Sequence, residues 1–224
     1  AVAVFLRHER RTARPLMDLR LFKHRPFAAG AIVAFIYGMG LFGSTYLLPV
    51  FMQVALNIVP SLSGAVMLPA GLMLAATIPL AGRMADRQPV SRMVGGGLTL
   101  LAASFLLMVT IGIGTSLWLI VAWAVVGRIG LGFVMPSLNL GAMRGLPDEL
   151  ISQGASNINF MRQLGGAVGI SLVGIVLEWR LQAEPATPVR AFHETFVLVG
   201  FITACAVVAA QRMAPPRAKA EVAR

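Results

Sequence analysis

The sequence predicts an all-α membrane protein of six transmembrane helices, and three observations predict it. Six apolar stretches follow one another, each near the roughly 20 helical residues that a hydrocarbon core about 30 Å thick requires. Hydrophobic residues make up 57% of the 224 and charged residues 12%, with a mean hydropathy of +0.78; soluble domains carry about a quarter charged residues. Lysine and arginine collect in alternate connections between the apolar stretches, the pattern that fixes the orientation of a multi-pass protein.

Residues 1–25 are expected to form a cytoplasmic basic linker attached to the end of a preceding helix. The chain opens on an apolar run over 1–6 with Ala1 in place of an initiator methionine, which reads as the start of a fragment. Arg7, Arg10, Arg11 and Arg14 then fall at i, i+3, i+4 and i+7, one helical face, before Pro15 interrupts it. Such a face can meet anionic headgroups, but ordinary positive-inside anchoring already accounts for it.

The six spans cover 27–53, 62–82, 93–114, 117–142, 153–179 and 195–211, a bundle within 26–212 followed by a disordered cytoplasmic tail over 213–224. Span one carries Gly38, Gly40 and Gly43 before Pro49, residues that mark where transporter helices bend around a cavity. Span five carries Gly165, Gly166 and Gly169, whose small-xxx-small spacing permits a close helix crossing and, on a second reading, a gating hinge.

Orientation follows from the nineteen lysines and arginines: seven lie in 1–25, three in 83–92, one at Arg144 and four from Arg212 onward, whereas the intervening loops hold only Arg180 and Arg190. Both ends are therefore expected in the cytoplasm, with Arg128 and Arg162 left inside spans four and five.

Other chemistries find no support. Basic residues between apolar spans do not make the folded polar footprint of a nucleic-acid module. Cys205 is alone, and His8, His24 and His193 are far apart, so neither a disulfide framework nor a metal-ligand spacing is present. No phosphate-cradling loop or nucleophile motif occurs. The expectation is a non-enzyme without cofactor or metal, whose partners include the lipid bilayer and exclude nucleic acid.

The 82–92 loop carries a recognisable pattern: Gly82, Arg83, Asp86, Arg87, Pro89 and Arg92. Physically, Gly82 permits close helix approach, Asp86 can cap the next helix, and Arg87 and Arg92 can pair with acids or carbonyls on a facing surface. This loop resembles the one that major facilitator transporters carry between the second and third helices of each six-helix half, departing from it at Pro89, Val90 and Ser91. The segments Pro15-Leu16-Met17-Asp18-Leu19-Arg20-Leu21-Phe22, Gly127-Arg128-Ile129-Gly130-Leu131-Gly132-Phe133, Gln153-Gly154-Ala155 and Arg162-Gln163-Leu164-Gly165-Gly166-Ala167-Val168-Gly169 together resemble one branch, the fourteen-span drug:proton antiporters of the EmrB/QacA type. The resemblance runs from about Pro15 to Gln211 and matches the C-terminal half of such a transporter. It implies half of a major facilitator fold, two inverted three-helix repeats, with a missing N-terminal half as partner and a gating loop at Gly82, Asp86, Arg87 and Arg92.

A charge near the bilayer centre costs at least about 2.5 to 3.5 kcal/mol, so Arg128 and Arg162 need an offset. Arg128 shares a face with Gly132 and, three turns on, Asn139; Arg162 shares one with Asn159, Gly166 and Gly169. Either these four polar residues face a water-filled substrate cavity, or the arginines are pins bonded to neighbouring helices, and both readings stand at this point. None of the nine acidic residues lies in the middle of a span, so proton coupling, which needs a titratable group in the pathway, is expected to run through the missing half. The resemblance implies proton-coupled efflux of lipophilic or cationic small molecules across the cytoplasmic membrane. Export of one specific metabolite, or a half-size membrane protein without independent transport, are the alternatives.

Overall fold

The computed structural model describes residues 19–85 and 87–213, with the side chains of Leu19 and Arg20 excepted. The Arg7–Arg14 basic face, Asp86 and the tail beyond Met213 lie outside the described residues. Six long helices cross: α1 (Arg25–Val50), α2 (Pro60–Ala85), α3 (Val90–Leu107), α4 (Leu117–Met143), α5 (Asp148–Ala183) and α6 (Pro188–Gln211). All six are long and apolar enough to span a membrane, and no strand occurs among the described residues.

Most helix ends lie outside the apolar windows, for local reasons. Pro49 cannot donate to Thr45 and crowds the turn before it; two residues later α1 widens into a π-helical turn over Phe51–Ala55, where the Leu56 amide reaches the Phe51 carbonyl at 3.3 Å. Asn57 then takes φ +54 and ends the helix. The glycines of span one sit against neighbouring helices: a Cβ at Gly38 would collide with the Arg162 carbonyl and one at Gly40 would press on Leu101, while one at Gly43 would be in ordinary contact with Val173. At 36 residues, α5 runs about 54 Å at 1.5 Å per residue, so both ends pass the hydrocarbon core. Its first turn carries Asp148 and Glu149, favourable beside the helix N-terminus.

The bundle has an internal symmetry of contacts. α1 packs along α5 and α2 packs along α4, both in parallel, while α3 packs antiparallel on α6 and α1 antiparallel on α4. Exchanging the first three helices for the last three maps the α1–α5 pairing onto α4–α2 and leaves the α3–α6 and α1–α4 pairings as they are, and three crossings reverse direction, which makes the units inverted repeats. α1 is the axis, with 67% of its most apolar stretch buried, against 22% for α2 and 28% for α5. Phe27, Phe51, Phe105, Phe192 and Phe196 are fully buried, and Phe51 meets Phe196 edge-on with ring centroids 5.4 Å apart.

The long loop expected over 180–194 is shorter than the sequence suggests, because Arg180, Arg190 and Glu194 are absorbed into helix ends. Arg180 pairs with Glu184 and Glu194, and Arg190 pairs with both as well. At the opposite end, Met213 is buried against Gly30 and Gly141, so the first residue of the expected tail belongs to the core.

Candidate functional site

Glycines let α5 lie directly against α1, and beside that crossing α1, α4 and α5 carry a polar cluster that is open on one side. A Cβ built at Gly165 would collide with the Phe35 carbonyl, one at Gly166 with the Phe42 ring, and one at Gly169 would sit 2.6 Å from the Met39 Cα. Backbones therefore touch along this crossing, and only glycine fits. On the other flank Gly132 faces Thr77 of α2, and Gly130 meets the Gly97 carbonyl of α3.

Within that frame Arg128 donates from Nη2 to the Thr45 hydroxyl at 3.3 Å, and Thr45 in turn donates to the Leu41 carbonyl at 2.7 Å. Arg162 donates from Nη2 to Asn159 Oδ1 at 2.5 Å, while its Nε is buried without a partner. Tyr37 of α1 is buried within electrostatic range of both arginines. Among the described residues every ion pair belongs to the Arg180–Glu194 cluster, so neither intramembrane arginine meets a carboxylate. Arg128 also borders a small cavity with Ser44, Leu48, Met67 and Leu131.

A second polar feature runs down α5. Ser152, Ser156, Asn159 and Gln163 recur at intervals of four, three and four residues and are all exposed, so they form one stripe along the helix face. The stripe ends beside Arg162, and Asn157, buried with an unpartnered Nδ2, lies on the opposite side of the same helix.

The structure separates residues that the sequence grouped. Asn139 is eleven positions beyond Arg128, about 16 Å along the helix axis; it lines an open cleft of about 990 Å³ with Ala85, Arg87, Gln88, Val90 and Arg144. It belongs to the α2–α3 loop and not to the arginine cluster. Gly82 is not a close-approach point within this unit, since a Cβ there would meet nothing within 4 Å; α2 turns Thr77, Ala81 and Ala85 inward instead, and Gly82 lies about 100° round the helix from Ala81. The N-cap of α3 is Pro89, three residues past the position expected to cap it. Arg87 and Arg92 are both exposed, Arg87 in the cleft and Arg92 in the first turns of α3. Tyr37, Thr45 and the serine positions of the stripe were not singled out from the sequence; the stripe was readable from its 4-3-4 spacing, whereas Tyr37 and Thr45 become neighbours of the arginines only through the helix packing.

Comparison with known proteins agrees with this architecture. The family described as Major Facilitator Superfamily matches residues 2–170. The multidrug transporter protein MdtP of Bacillus subtilis is 27% identical over 80% of this chain and 33% of its own length. A multidrug resistance protein B homolog of Mycobacterium tuberculosis is 32% identical over 80% of this chain and 34% of its own, and the putative multidrug resistance protein MdtD of Klebsiella pneumoniae is 28% identical over 93% and 44%. The chain thus spans about a third of the length of the first two of these relatives. In fold it is similar to a crystal structure of the peptide transporter POT in complex with alafosfalin, at a TM-score of 0.66 and 21% identity, covering 83% of this chain and 37% of that one. Six spanning helices in inverted threes and a family match over most of the chain place it, as an integral multi-pass membrane protein of transporter and not enzyme ancestry, in the major facilitator superfamily.

Proposed function

We propose that residues 1–224 form the C-terminal half of a secondary active transporter, and that the whole protein carries out proton-coupled multidrug efflux. One observation carries this reading: the bundle presents a face that lipid does not cover favourably. Arg128 with Thr45, and Ser152, Ser156, Asn159 and Gln163, are open on one side, and polar groups at membrane depth face water or other protein. A preceding half would close a cavity over that face. The names of the relatives, and the third of their length that the chain spans, support the same reading.

In this arrangement Arg128, Asn159 and Arg162 line the cavity, and the acids that carry protons and offset the two arginines come from the missing half. Lipophilic or cationic molecules bind on the apolar part of the cavity, away from the arginines. The 82–92 loop, with Arg87, Asp86 and Arg92 joined by Asn139 across the cleft, gates its cytoplasmic end. Gly165, Gly166 and Gly169 form the crossing about which α5 pivots on α1. Residues 1–25 are the cytoplasmic linker, running into α1 at Arg25, 26–212 the bundle and 213–224 the tail, of which Met213 still packs in the core, both ends lying inside the cell at the cytoplasmic membrane.

The test is transport in proteoliposomes under an imposed pH gradient. The chain joined to the spans that precede it should expel a lipophilic cation such as ethidium, and residues 1–224 alone should not. Gradient-driven efflux by residues 1–224 alone would overturn the half-transporter reading. The arginine pair without a described carboxylate favours a second reading, export of one specific anionic metabolite; failure of the whole protein to move any lipophilic cation while it binds an organic anion would select it.

A further inference from the structure

A second cleft, of about 770 Å³, opens where the N-terminal end of α1 meets the C-terminal end of α6. Its wall is apolar, formed by Phe22, Ala29, Ile32, Cys205 and Val208, and its lining includes two arginines, Arg25 and Arg212. Both are exposed, and neither has an acidic partner among the described residues. The first turn of α1 adds no acid and no side-chain cap; the α1 N-terminus and the α6 C-terminus present opposite dipole ends here, so the two arginines set the sign of the charge. A short 3₁₀ helix, Leu19–Lys23, closes one wall, pinned by buried Leu21 and by Phe22 standing edge-on to Phe27 at 5.4 Å.

We propose that this cleft binds an anionic phospholipid, with its phosphate between Arg25 and Arg212 and an acyl chain along Ile32, Cys205 and Val208. The chemistry is specific at both ends. Arg25 and Arg212 terminate antiparallel spans, which puts the guanidinium groups at headgroup level and the apolar wall at acyl level. Two guanidiniums lining one cleft offer charge-assisted, fork-like donation that a zwitterionic headgroup, carrying its own cation, satisfies less well. Ile32 is 51% and Val208 57% exposed, so the wall needs an apolar occupant, and the bilayer supplies one. The cleft lies at the opposite end of the bundle from the Arg180–Glu194 cluster, where every basic side chain is already paired with acids.

The experiment is lipid retention. The 224-residue chain, purified from detergent containing equimolar phosphatidylglycerol and phosphatidylcholine, is examined by native mass spectrometry for bound lipid. Phosphatidylglycerol should be kept over phosphatidylcholine by roughly thirtyfold, as two basic residues near the headgroup, each contributing about 1 kcal/mol, imply. R25Q/R212Q should bring the ratio near one, R25K/R212K should keep most of it, and R87Q/R92Q, at the other basic loop, should leave it unchanged. A bulky thiol reagent on Cys205 should displace the lipid as R25Q/R212Q does. A ratio near one in the unmodified chain would overturn the proposal, as would equal loss in R87Q/R92Q, which would mean diffuse charge and no site. A ratio well above one that is insensitive to R25Q/R212Q would also overturn it, since the preference would then arise elsewhere on the chain. Retained helix content by circular dichroism, together with the preference kept by R25K/R212K, separates a lost site from a misfolded chain.

Discussion

At Arg128 the two roles left open by the sequence make different predictions, and Thr45 separates them. If the guanidinium acts through its charge, R128K retains most efflux by the whole transporter and R128M loses it, because lysine keeps the charge but not the planar fork. If it acts as a pin, both variants and Thr45→Val lower the detergent Tm together, each losing one hydrogen bond worth about 1.5 to 3 kcal/mol to a charged group. Efflux and Tm measured side by side decide it; normal values for both in R128M would reject both roles. Glycine offers a cleaner contrast. Gly165→Ala drives a methyl group into the Phe35 carbonyl and should cost about 1 to 3 kcal/mol as overpacking, read as a fall in Tm. Gly174, on the same helix, has nothing within 4 Å of its Cβ position, so Gly174→Ala should leave Tm unchanged or raise it slightly through helix propensity. Equal effects would mean that the α1–α5 crossing is looser than described.

Helices were legible where hydropathy alone decides, and their ends were not. Span four was expected over 117–142 and the helix is Leu117–Met143, since a serine before it and a glycine turn after it bound the apolar run on both sides. Span six was expected to start at 195, yet α6 starts at Pro188: proline suits a first helical turn, and Arg190 and Glu194 are held in helical register by pairing with each other at i, i+4. Hydropathy reads such charges as loop because it has no knowledge of their partners. That network ties the ends of α5 and α6 together, and His193 adds a bond from Nε2 to the Ile111 carbonyl at 2.7 Å, which links the same end to α3. Glu194→Gln removes one partner from Arg180 and one from Arg190 at once, and should lower Tm by a few degrees at low salt. Exposed pairs are screened within about 3 Å in 1 M salt, so the difference from the unmodified chain should shrink there. A drop that is unchanged by salt would mean that Glu194 acts through packing.

Taken as a whole, the molecule has a basic end and a paired end, and this asymmetry makes its orientation testable. Arg25, Arg83, Arg87, Arg92, Arg144 and Arg212 lie at one end of the bundle, whereas Arg180 and Arg190 at the other are neutralised by Glu184 and Glu194. The positive-inside rule assigns the first end to the cytoplasm. The site residues were less legible than this polarity, because Asn139 and Arg128 share a helix face in sequence but lie at different depths, and depth decides which of them meets the loop and which meets the cluster. Depth and side are what thiol labelling reads. With Cys205 replaced by serine, single cysteines at Val59, Ala186 and Gln88, all exposed, report the two ends; Asn57 is avoided because its φ of +54 favours asparagine over a residue that lacks its local hydrogen bonding. An impermeant maleimide added to intact cells should modify Val59→Cys and Ala186→Cys and spare Gln88→Cys, which should react only after permeabilisation. Labelling of Gln88→Cys in sealed cells, with Ala186→Cys protected, would invert the orientation, place the 82–92 loop outside, and remove the basis for reading it as a cytoplasmic gate.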